Sequence, residues 1–174
     1  FINLLFERSD FAMNTDIRKK TKFSLSRAIL SLLVTLGIGS LGGFLARGGF
    51  EKYGKLDLPP LAPPPWVFPV VWSALYILMS VGVYLLLSRP RGEKEKNALT
   101  LFAVYMVLNF LWPLVFFEKG AFLAALLLAC AQFVLLVVCI SAFYPLSSLA
   151  ALTLVPTAVW TLFAIYLNAG ILFA

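Results

Sequence analysis

The groups in this chain that could do chemistry fall into three short stripes. Trp72, Tyr76 and Ser80 are spaced i, i+4, i+8; Asn109, Trp112 and Phe116 are spaced i, i+3, i+7. Trp160, Ala164 and Asn168 repeat the i, i+4, i+8 spacing, with Thr157 one turn before them. On an α-helix each set shares one face. Each stripe therefore joins flat aromatic surface to one or two hydrogen-bonding groups. That mixture suits a large, flat, mostly apolar ligand with a few polar edges. The same spacing also serves plain aromatic packing between helices, and periodicity alone leaves both open.

What is missing narrows the chemistry. The sequence has no histidine. That removes His-ligated haem, His-based zinc sites and every Ser/His or Cys/His catalytic pair. Cys130 and Cys139 share one apolar run. On a helix their Cα atoms stand roughly 13–14 Å apart, beyond the roughly 7 Å reach of a disulfide, so both read as inert core thiols. The remaining polar residues of the apolar stretches, Ser73, Ser80, Asn109, Gln132, Thr153, Thr157, Thr161 and Asn168, read individually as interhelical hydrogen-bonding groups. No paired acid and base stands among them, so conventional proton-transfer catalysis has no candidate residues. No metal site is expected.

The elements that must position these stripes follow from composition. Of the 174 residues 61% are hydrophobic and 13% charged, and the mean hydropathy is +0.95. Ordinary soluble domains are roughly 45–50% apolar and about 25% charged. The excess implies an integral membrane protein: all-α, because lipid cannot satisfy an open backbone. Five apolar stretches run from about Leu25 to Ala46, Trp66 to Leu87, Ala98 to Phe117, Phe122 to Phe143 and Leu149 to Phe173. Each is near the roughly 20 residues that a bilayer requires. No Lys, Arg, Asp or Glu lies inside the last four, and in the first Arg27 sits at the mouth. Ion pumps and proton-coupled carriers need ionisable groups at membrane depth, so this pattern argues against ion transport. The expected architecture is a five-transmembrane-helix bundle over residues 25–174, preceded by a basic segment, 1–24. Residues 1–12 are set aside, with Met13 the expected natural start; a signal peptide is disfavoured because the first apolar run is long enough to span.

Short links between spans two and three, three and four, and four and five predict antiparallel neighbours. The connection from Arg47 to Pro65 is longer. Gly48, Gly49, Gly54 and five prolines predict a partly ordered loop covering one end of the bundle. The net charge of +6 is carried beside the spans and reads as topogenic, so no nucleic-acid partner is expected. Arg18, Lys19, Lys20, Lys22 and Arg27 fall on one side with Arg89, Arg91, Lys94 and Lys96; Arg47, Lys52, Lys55 and Lys119 fall on the other. The bias predicts a cytoplasmic N-terminus and an external C-terminus. Trp66 reads as an interface anchor. Gly39 and Gly43, extended by Thr35, form a small-residue stripe that serves packing within the bundle or a dimer contact.

Three segments carry a resemblance. Pro59-Pro60-Leu61-Ala62-Pro63-Pro64-Pro65-Trp66-Val67-Phe68-Pro69-Val70-Val71-Trp72 resembles the proline-rich loop and second-helix signature of the TspO/MBR family, the translocator or tryptophan-rich sensory proteins. Asn109-Phe110-Leu111-Trp112-Pro113-Leu114-Val115-Phe116-Phe117 is similar to the family's helix-three segment, and the run from Pro156 to Asn168 to its helix-five segment. The resemblance covers about Leu25 to Ala174. It implies a five-helix bundle, often a homodimer, with a pocket closed by the loop between helices one and two. It also implies a tetrapyrrole ligand, porphyrin or haem, with no required cofactor, in contact with membrane lipid. The positions that match the family's pocket are Tyr53, Trp72, Asn109, Trp160 and Ala164; Tyr76, Trp112 and Phe116 join them as candidates from the stripes.

Departures from the family pattern are Lys52 and Leu61, where tryptophans are common, and Thr157 in place of a tyrosine, so the pocket mouth is less aromatic. No Lys or Arg follows Tyr166, which leaves the proposed sterol-recognition pattern incomplete and predicts weak sterol binding. The function implied is a tetrapyrrole-binding sensor or handler in a bacterial cytoplasmic membrane. The alternatives are a passive carrier of tetrapyrroles or lipids and a light-dependent porphyrin-degrading enzyme, in which Trp72 and Trp160 would be the catalytic residues.

Overall fold

The computed structural model describes residues 23–90 and 92–173. Five helices are long and apolar enough to cross a membrane. They are α1 (Leu25–Leu45), α3 (Val67–Leu87), α4 (Glu93–Glu118), α5 (Phe122–Phe143) and a fifth span, Ser148–Phe173, made of α6 (Ser148–Leu152) and α7 (Val155–Phe173). A short helix, α2 (Phe50–Tyr53), lies in the loop after α1. The basic segment up to Lys22, together with Arg91 and Ala174, lies outside the described residues.

Two boundaries differ from the sequence reading. The third span starts at Glu93, a turn and more before Ala98. Glu93 and Glu95 sit in its first turn, where carboxylates complement the positive end of the helix dipole. The fifth span is broken after Leu152. Ser147 caps α6 by accepting from the Ala150 N–H at 3.2 Å. Pro156, without an N–H, then falls in the first turn of α7, where that donor has no helical acceptor.

Around the bundle α1 packs along both α3 and α4, α4 along α5, and α5 along α7. The ring closes where Phe68 of α3 meets Trp160 of α7 at 6.2 Å between centroids and where Gly82 accommodates Thr153. Sequence-adjacent spans two and three touch only along part of their length, with span one packed against both: the Tyr76 ring occupies the space that a side chain at Gly39 would fill. Gly42 in turn seats Phe110. Of the small-residue stripe of α1, Gly39 serves packing within the bundle, whereas a Cβ at Gly43 would meet open space.

Two core clusters result. One, around Met79, Tyr105, Met106, Leu136 and Phe143, fills the end where α3 finishes and α4 begins. The other, around Tyr53, Phe68, Trp112, Phe116, Phe117, Ala164 and Leu167, fills the loop end. Cys139 belongs to the first; Cys130 turns outward and is not a core thiol. Trp66 is 66% exposed just before α3.

The loop caps the second cluster. Gly49 lies against the Phe117 backbone, Phe50 meets Phe117 at 4.6 Å, and Tyr53 is buried. Pro59 packs on Gly170, and the Tyr166 hydroxyl donates to the Pro60 carbonyl at 2.8 Å. Between them the Ala62 N–H bonds the Pro59 carbonyl, with Leu61 at φ 67°. Proline followed by positive φ is the pattern of a type II turn, whose third position favours glycine.

Candidate ligand-binding site

The site begins with Pro113. Proline in a helix removes one backbone hydrogen bond. The turn that follows, Leu114–Glu118, widens to π geometry, a form common as a local bulge. Consecutive Phe116 and Phe117 are both buried there. Trp112 stacks on Phe116 at 4.9 Å and 11°. On α3, Trp72 stacks on Tyr76 at 5.5 Å and 27°. The Tyr76 hydroxyl donates to Asn109 Oδ1 at 2.7 Å, and Asn109 Nδ2 stands 3.4 Å from the Tyr105 hydroxyl. The Asn109 amide is thus held from both ends, with one N–H and one lone pair still to offer.

Between α1, α3 and α4 these residues surround a cavity of about 290 Å³. Trp72, Tyr76, Asn109 and Trp112 line it, with Gly39, Gly43, Phe68, Pro69, Pro113 and Phe117. Arg47 is the one charged lining residue. The other candidates stand apart. Tyr53, Phe116 and Ala164 belong to the loop-end cluster, and Trp160 packs against it. Phe68, Trp112 and Phe117 join the two groups, since each lines the cavity and belongs to the loop-end cluster; Phe68 also touches both Tyr53, at 5.3 Å, and Trp160. Tyr53 and Phe116 also line a smaller space of about 180 Å³ beneath α2.

Several buried polar atoms in this region have no partner. They are the Tyr53 hydroxyl, the indole N–H groups of Trp112 and Trp160, the Thr157 hydroxyl and Asn168 Oδ1. Buried polar groups are nearly always paired; of these atoms only the Trp112 indole belongs to a residue lining the cavity. Burial pushes the Tyr53 phenol from 10.0 up to about 12. Among the described residues no group of three or more His, Cys, Asp or Glu comes together to hold a metal ion. The lining offers flat surface, donors and one cation, and no acid–base pair.

Sequence reasoning missed the α1 wall and Arg47. The stripes on spans two and three were readable because they are aromatic; α1 contributes glycines, and the GxxxG spacing was its signal. Trp160 and Ala164 share a face with Asn168, but that face meets the loop-end cluster.

Residues 30–174 match the TspO/MBR family. The chain is 33% identical over 154 residues to the tryptophan-rich protein TspO of Chlorobaculum tepidum, covering 85% of this chain and 98% of that protein. It is 31% identical to the tryptophan-rich sensory protein of Cereibacter sphaeroides, covering 80% and 85% respectively. It is also 35% identical to the translocator protein of Bos taurus, covering 79% and 83%.

Proposed function

The chain belongs to the TspO/MBR family of membrane proteins, and from that premise we propose that it binds a tetrapyrrole inside the helix bundle and acts as a sensor or handler of porphyrins. The observation that carries this reading is the cavity between α1, α3 and α4, walled by Trp72, Tyr76 and Trp112 with Asn109 at its side. Flat rings stack on a macrocycle, each contact contributing roughly 0.5–1.5 kcal/mol beyond buried area. The free N–H of Asn109 offers a hydrogen bond of about 1 kcal/mol to a ring or side-chain edge.

At about 290 Å³ the cavity lies at the low end of small-molecule sites, which run from about 300 to 1,000 Å³. A macrocycle therefore enters by displacing Phe68, which joins the cavity to the cluster holding Trp160 and Ala164. The unpaired indole N–H groups of Trp112, on the cavity, and Trp160, behind Phe68, support that path. With no histidine in the chain, iron ligation adds little, and metal-free protoporphyrin binds about as well as haem. The reading places the chain in a bacterial cytoplasmic membrane, like that of its bacterial relatives, and the basic bias of the N-terminal side puts the N-terminus inside. Pairing of two copies through lipid-facing surfaces is the family's further expectation.

The test is a titration of Trp fluorescence with protoporphyrin IX in detergent. Saturable quenching is expected. Trp72→Phe and Trp160→Phe weaken it, and Trp66→Phe, at the interface, leaves it unchanged. If Trp66→Phe is the damaging change and the other two behave as wild type, the tryptophans are packing residues and the reading fails.

A further inference from the structure

The cavity has one charged lining residue, and its position is informative. Arg47 follows the last turn of α1, where the span gives way to the loop. Its guanidinium carbon stands 4.1 Å over the centre of the Phe44 ring. A guanidinium stacked on an aromatic face has that face occupied and its N–H edges free for a planar acceptor. The acids nearest to compete for those edges are Glu51, one turn on in α2, and Glu118, beside Gly48 at the end of α4. Arg47 forms an ion pair with neither among the described residues.

We propose that Arg47 reads a carboxylate on the ligand, so that the cavity selects flat, apolar ring systems bearing an acidic side chain over neutral or esterified ones. The inference rests on the tetrapyrrole reading above and adds a chemical criterion to it. A carboxylate is costly in hydrocarbon, so an amphipathic acid settles with its ring at depth and its charge at the interface. The cavity has that polarity: Trp72, Tyr76 and Trp112 in the span, and Arg47 at the end of α1. Arg and carboxylate meet through two parallel, charge-assisted hydrogen bonds, a geometry that a methyl ester cannot reproduce. The aromatic walls serve acid and ester alike; Arg47 separates them.

The experiment compares protoporphyrin IX with its dimethyl ester in neutral detergent micelles, using the full chain and reading Trp quenching. Wild type is expected to bind the free acid about tenfold more tightly. Arg47→Gln brings the acid to the level of the ester and leaves ester binding within about twofold of wild type; Arg47→Lys retains part of the preference. A wild type that binds acid and ester equally overturns the proposal, and the cavity reading stands. So does an Arg47→Gln variant that keeps the wild-type preference. Equal loss of both ligands in Arg47→Gln makes Arg47 a structural residue and also overturns it. Absence of quenching by either porphyrin in wild type removes the tetrapyrrole reading, and this inference with it.

Discussion

Tyr53 shows how an unsatisfied group can be harmless to the fold and open to a ligand. Its hydroxyl is buried without a partner, while its ring contacts Phe68, Phe116 and Phe117. Tyr53→Phe keeps the rings and removes only the orphan, so stability is expected within about 1 kcal/mol of wild type or slightly above it. Tyr53→Ala empties the cluster and costs about 3–5 kcal/mol. The unfolded phenol loses its proton near pH 10 and the folded one near 12. Between those values the folded state holds the extra proton, and this contribution to stability falls as pH rises. Thermal unfolding at pH 9 and pH 11 is therefore expected to show a smaller loss for Tyr53→Phe than for wild type. Gly39 and Gly43 give a second contrast. A Cβ at Gly39 runs into the Tyr76 ring, whereas one at Gly43 meets open space. Gly39→Ala is expected to cost about 1–3 kcal/mol and to weaken porphyrin binding by displacing Tyr76 from Asn109. Gly43→Ala leaves the unfolding midpoint in place and lowers affinity only through the lost cavity volume. Unfolding midpoints and quenching titrations of the pair check this.

Among the elements the loop between α1 and α3 has the most leverage over access. It is pinned at one end by Gly49 against Phe117 and at the other by Pro59 on Gly170 and Pro60 on Tyr166. Tyr166→Phe removes a hydrogen bond of about 1 kcal/mol, roughly a fivefold shift toward an undocked loop. Gly170→Ala thrusts a methyl into Pro59 and is expected to undock it further. Porphyrin dissociation, followed by stopped-flow fluorescence, is expected to quicken in that order, wild type slowest. Equal rates in all three would mean that the loop does not govern release. Leu61 in the left-handed region at the turn adds a strain of about 1–2 kcal/mol for a non-glycine residue, which the docking of Pro59 and Pro60 must offset.

For the whole molecule, orientation follows from the basic residues at its two ends. The end at which α3 finishes and α4 begins carries Arg89, Lys94 and Lys96; the loop end carries Arg47, Lys52, Lys55 and Lys119. With the basic residues before α1 added to the first group, we propose that end as the cytoplasmic one. A reporter fused after Ala174 is expected to be active only in a periplasmic or extracellular assay; cytoplasmic activity there reverses the assignment.

The number and length of the spans, the helical class and the family were all legible in the residues, because hydropathy over about 20 residues and short motifs such as Asn109 to Phe117 are local properties. So were the stripes on spans two and three, since helical period alone sets which side chains share a face. Their partners were not. That α1 packs against both α3 and α4 depends on Gly39 receiving the Tyr76 ring and Gly42 the Phe110 ring, fits between surfaces far apart in sequence. The separation of Trp160 and Ala164 from the cavity likewise depends on where the Phe68 ring comes to rest. Sequence alone determined which faces are aromatic; only tertiary packing decided which of those faces enclose the same space, because close contact is a property of pairs of elements and not of any one of them.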